Sequence, residues 1–151
     1  MSDLGNSYRL RSSIRAASAT LVVLLLTGCG HDGPRVEEAW IRDAPPSAPM
    51  RAIYFVLVND GPATLRVAGA RVEGMGRAEI HRTVRDGGMS RMRPAGMLEI
   101  APGDRLRLEP GGLHLMAAAG GDPPRPGDRR FIEVLDPEGG VIASAEAEVR
   151  R

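Results

Sequence analysis

Two histidines and two methionines are the residues of this chain best suited to chemistry. His81 is followed after ten residues by Met92, after a further twenty-one by His114, and after one more by Met116. Imidazole and thioether together make a ligand set for a soft metal, above all Cu(I). The only other histidine is His31, close to the N-terminus. If the four side chains converge, the protein binds copper. If they disperse, the chain is a small β-domain whose His and Met pairs are incidental.

The first pair lies around the dipeptide Asp86-Gly87. Asp-Gly between two β-forming runs is a strong signal for a two-residue type I′ turn, because both central positions need positive φ. With Asp86-Gly87 as the loop, His81 falls directly opposite Met92. Opposed Cβ atoms are about 4.5–5.5 Å apart, so both side chains can reach one ion. The same register sets Arg82 against Arg91, an unfavourable like-charge pair. In the second pair, His114 and Met116 are two residues apart and share one face of a strand. Their Cα atoms are then ~6.6 Å apart at 3.3 Å per residue. Leu113, Leu115 and Ala117 take the opposite face and suit a core.

The elements that must position these residues are short and extended. Apolar runs alternate with Gly, Pro and Asp punctuation, and no long amphipathic helical period is present. Strands are expected at 36–42, 50–58, 64–72, 77–84, 89–93, 98–100, 105–109, 113–118, 129–135 and 141–149. Prolines interrupt 43–49, and glycine, proline and aspartate fill 120–128. The expected fold class is all-β, a single-domain β-sandwich or small barrel with Greek-key connections, over residues 36–151.

The N-terminus reads as an export signal. Arg9, Arg11 and Arg15 precede an apolar stretch from Ala16 to Leu26 that is too short for a permanent membrane span. Leu26-Thr27-Gly28-Cys29 resembles a bacterial lipobox. Residues 1–28 are therefore expected to be a lipoprotein signal peptide, with Cys29 the lipid-bearing N-terminus of the mature chain. Residues 29–35 form a lipid-proximal tether in which His31 is filler. Acyl chains on Cys29 would anchor the protein, at ~0.8 kcal/mol per buried CH₂.

Composition excludes several function classes. Cys29 is the sole cysteine, so a lipidated chain has no thiol for a disulfide, a blue-copper centre or nucleophilic catalysis. All 20 basic residues are arginine, and without the signal 17 remain against 18 acids. No basic stripe with interleaved aromatics points to nucleic acid. Neither a Gly-x-Ser-x-Gly elbow, an HExxH motif nor a Walker loop is present, and Glu37-Glu38 reads as solvated surface. The expectation is a protein that is not an enzyme.

The His-x10-Met-x21-His-x-Met pattern resembles that of the periplasmic PCuAC copper chaperones, and the similarity runs over residues 36–149. EAWIRDAPPSAP, IYFVLVNDG, GRAEIHRTVRDGGMSRMRP, LEIAPGD and PGGLHLM carry it. The resemblance implies a cupredoxin-like Greek-key fold and one Cu(I) per chain, held by His81, Met92, His114 and Met116. It implies copper delivery in the cell envelope, on the periplasmic face or outer surface. The receiver would be the CuA centre of cytochrome c oxidase subunit II or a Sco-type thiol protein. One departure is that no methionine follows His81 closely; Arg82 and Thr83 stand there, and Met89 is the nearest substitute. The chain also lacks a histidine-rich C-terminal tail. The competing reading is an envelope lipoprotein that uses its β-sandwich as an interaction module without metal.

Overall fold

The computed structural model describes residues 33–151. The expected signal peptide, Cys29 and His31 lie outside them. Eleven strands follow in order: β1 (Pro34–Arg42), β2 (Met50–Asn59), β3 (Leu65–Val67), β4 (Gly69–Val72), β5 (Gly76–Asp86) and β6 (Met89–Pro94). They continue with β7 (Leu98–Ile100), β8 (Arg105–Leu108), β9 (Leu113–Ala118), β10 (Arg129–Leu135) and β11 (Val141–Arg150). Strand β1 begins at Pro34, so the last two residues of the expected tether belong to the sheet.

Seven strands close on themselves in the order β1-β11-β10-β4-β5-β9-β2, and β2 returns to β1. Closure leaves no open edge within the ring. The β1–β11 contact is parallel and the other pairings are antiparallel. Strand β8 adds to β2, β6 adds to β5, and β3 and β7 form a separate ribbon. The architecture is the all-β small barrel that the alternating pattern led us to expect, and it is cupredoxin-like, as the resemblance implied.

Period-2 alternation fills the interior. Ile53, Phe55 and Leu57 of β2 meet Ile80 of β5, Leu115 of β9 and Ile132 of β10, all at most 3% exposed. Burial of each such side chain contributes ~1.5–3 kcal/mol. Val67 and Ile100 of the β3–β7 ribbon join the same cluster. Strand β1 keeps contact with both β2 and β11 by means of a bulge. Its register against β2 shifts between Glu37 and Trp40, where Glu38 takes φ 54°.

The run 64–72 is two strands rather than one. The Ala68 amide leaves the ribbon and donates to the Leu135 carbonyl, and Gly69 starts β4 in the barrel. A Cβ at Gly69 would lie 2.5 Å from the Ala78 carbonyl oxygen, so glycine is required for the two backbones to approach. The break hands the chain from ribbon to barrel.

Candidate metal centre

Strands β5 and β9 place the two histidines side by side. His81 and His114 are register partners, and their ring centroids are 6.2 Å apart with planes at 60°. Strand β2 flanks β9 on the other side, and Tyr54 stands 6.4 Å from His114. Trp40 of β1 packs at 4.5 Å on Tyr54, and the Arg150 guanidinium sits 5.0 Å above the indole. Four rings thus cross four adjacent strands on the face opposite the core. They account for the burial of His114, which is 2% exposed although it sits on the outward face.

His114 is set up as a ligand. Its Nδ1 lies 3.1 Å from the Gly112 carbonyl oxygen. A carbonyl only accepts, so Nδ1 carries the proton and donates it. The lone pair is then on Nε2, which is buried and has no hydrogen-bond partner. An unsatisfied buried polar atom costs ~1–3 kcal/mol. A backbone carbonyl fixing one ring nitrogen while the other stays free is the usual arrangement for a metal-binding imidazole. Nε2 of His81 is 3.6 Å from a carboxylate oxygen of Glu79.

The methionines arrive from both sides. Met116 is two residues beyond His114 and faces Glu79 on β5 and Ala52 on β2. Met92 is on β6, which pairs with β5 alone, and it is 60% exposed. Both methionines line one cleft of about 380 Å³, with Met50, Ala52, Tyr54 and the loop from Arg42 to Pro45.

The hairpin register differs from the one read off Asp86-Gly87. Gly87 and Gly88 occupy the turn, at φ 56° and 80°, and Asp86 pairs with Met89 as the last rung of the ladder. Two glycines accept the two positive φ values of a type I′ turn more readily than Asp86 would. His81 therefore pairs with Pro94, and Met92 with Thr83. The slip is two positions, so it preserves the face: Met92 is diagonal to His81 instead of opposite. Arg82 faces Arg93 rather than Arg91. Met89, three residues from Met92, is on the other face of the hairpin and away from the cleft.

The structure thus places His81, His114, Met116 and Met92 on one face of neighbouring strands; the two methionines line the cleft, and neither histidine is among its lining residues. Sequence reasoning missed Met50 and Tyr54, which share that face. Their even spacing along 50–54 carried a signal, but only the β2–β9 pairing shows which face it serves. Among the described residues, no group of three His, Cys, Asp or Glu could hold a metal ion. The donor set at this site therefore depends on thioether sulfur. No helix among the described residues is long and apolar enough to cross a membrane.

This closed barrel with its cleft has the fold of PCuAC domains. It is similar to the copper-bound PCuAC domain from PmoF2, with a TM-score of 0.59 and 16% identity, covering 76% of this chain and 90% of that one. It is also similar to CuI-DR1885 from Deinococcus radiodurans, with a TM-score of 0.58 and 24% identity, covering 76% of each. Residues 35–133 match the family model described as "Putative lipoprotein LpqE-like". A relative in Leifsonia xyli subsp. xyli, named "Putative lipoprotein Lxx21020", is 31% identical over 117 residues, 68% of this chain and 69% of that protein. The chain belongs to the LpqE-like family of lipoproteins.

Proposed function

We propose that His81, Met92, His114 and Met116 hold one Cu(I) ion as cargo and that the protein is an extracytoplasmic copper chaperone, not an enzyme. The free, buried Nε2 of His114 is the observation that carries this reading. The fold's likeness to the copper-bound PCuAC domain from PmoF2 and to CuI-DR1885 supports it. All four donors are neutral, and the two soft thioethers beside the two imidazoles favour Cu(I) over Zn(II).

Release follows from exposure. Met92 sits on a strand with a single neighbour and is the most accessible of the four. An incoming thiolate forms a Cu–S bond as the Met92 thioether leaves, and the metal stays Cu(I) throughout. We extend the proposal to delivery for the CuA-type centre of cytochrome c oxidase, to subunit II directly or through a Sco-type thiol protein. Acyl chains on Cys29 would hold the chaperone at the membrane, in keeping with a lipoprotein family.

The test is a Cu(I) titration against a competing chelator. The expected result is one Cu(I) per chain, with affinity lost in His114→Ala. Unchanged affinity in that variant overturns the assignment and leaves the β-domain as a protein-contact module.

A further inference from the structure

The cleft beside the histidines holds a third thioether that the proposed site does not use. Met50 opens β2 and pairs with Ala118, one same-face step from the Ala52–Met116 pair. Met50 and Met116 are therefore diagonal neighbours, with Cα atoms about 7–8 Å apart and side chains long enough to meet. Met92 reaches the same cleft from β6, and all three line it. Met50 is 39% exposed, whereas Met75 is packed in the core at 6%. What sets Met50 apart from the exposed Met89 and Met97 is its place beside two other thioethers in the lining of one cleft.

We propose that Met50, Met92 and Met116 form an all-thioether Cu(I) position at the mouth of the cleft, through which the ion enters and leaves the histidine site. This rests on the Cu(I) reading above. Three neutral sulfurs suit a soft monovalent cation and offer little to Zn(II). Met92 and Met116 serve both positions. In moving outward, the ion exchanges its bonds to the His81 and His114 nitrogens for one to the Met50 sulfur, with no change of oxidation state and no proton released. It keeps two sulfur ligands throughout, so no step leaves it bare. Asp43 and Arg42 also line the cleft, so one carboxylate and one guanidinium offset each other within the lining.

The test is methyl NMR of the purified protein, labelled at methionine and titrated with Cu(I), with wild type and His81→Ala in parallel. His81 is partly exposed, so its truncation spares the core. Met89 and Met97 are exposed but outside the cleft lining and serve as controls. The expected result is a Met50 methyl shift in wild type that grows in His81→Ala, with both controls still. Adding Met50→Leu to His81→Ala should then lower the Cu(I) affinity at least ten-fold. A still Met50 methyl in both proteins, while Met92 and Met116 move, overturns this inference and leaves the four-ligand reading standing. No Cu(I) binding by wild type overturns both.

Discussion

His81 and His114 are direct cross-strand partners, although 32 residues of chain, a hairpin and two further strands lie between them. The β5–β9 pairing sets the two histidines side by side, which neither His/Met pair could guarantee alone. One register contact joins the two halves of the site.

Cargo binding should stabilise the fold. A ligand that binds only the native state adds about 2.7 kcal/mol at a hundred-fold excess over Kd. For a domain of this size that is roughly a 10 °C rise in Tm. Calorimetry should show the rise on adding Cu(I) to wild type and none in His114→Ala.

Met92→Leu separates ligation from packing. The side chain is mostly solvated, so urea unfolding of the apo variant should match wild type within about 0.5 kcal/mol. Cu(I) affinity should fall at least ten-fold in chelator competition. An unfolding midpoint that moves with the affinity would assign Met92 to packing instead.

The hairpin has a like-charge rung that can be repaired. Arg82 and Arg93 face each other and make no ion pair with an acid among the described residues. Arg82→Glu converts repulsion to attraction and should stabilise the apo protein by ~0.2–1 kcal/mol. Thermal unfolding at low and high salt checks this, because the gain should shrink as salt screens the pair.

Arg51 is a buried cation held by carbonyls. It is 1% exposed and donates from Nη1 to Ala48 at 2.8 Å and from Nη2 to Pro45 at 3.4 Å. These bonds pin the proline loop that forms one wall of the cleft. Arg51→Ala leaves the carbonyls without their donor and opens a cavity, so a loss of about 3 kcal/mol is expected in urea unfolding.

Asn59 ties the other end of β2. Its amide donates to Ala63 at 2.8 Å and Ile100 at 3.0 Å, and its carbonyl oxygen accepts from Gly61. Asn59→Ala should cost about 2–3 kcal/mol, because buried partners are left unpaired. Cu(I) affinity should be nearly unchanged, since the cleft is at the far end of the strand.

Most strands were legible because alternation and turn residues are local signals. Leu113 to Ala118 shows its two faces directly, and Gly-rich turns mark the ends. The hairpin register was legible only in parity: Asp86-Gly87 and Gly87-Gly88 both suit a tight turn, and φ decides between them. The split at Ala68 was hidden because it depends on Ala78, a partner from another strand. Met50 escaped for the same reason. Its role depends on β2 lying beside β9, a pairing across more than 60 residues that no local pattern encodes.

The direction of β1 sets where the cleft stands relative to an anchor. Pro34 pairs with Asn59 at one end of the barrel, and Arg42 reaches the cleft at the other. Between them run roughly 25 Å of strand at 3.3 Å per residue. With lipid on Cys29, the five steps to Pro34 span at most about 18 Å. So short a leash would keep the Pro34 end of the barrel beside the bilayer and turn the methionine cleft outward. Cargo would then pass to receivers whose acceptor thiols stand well above the membrane plane, and a site lying flush with the lipid would be out of reach.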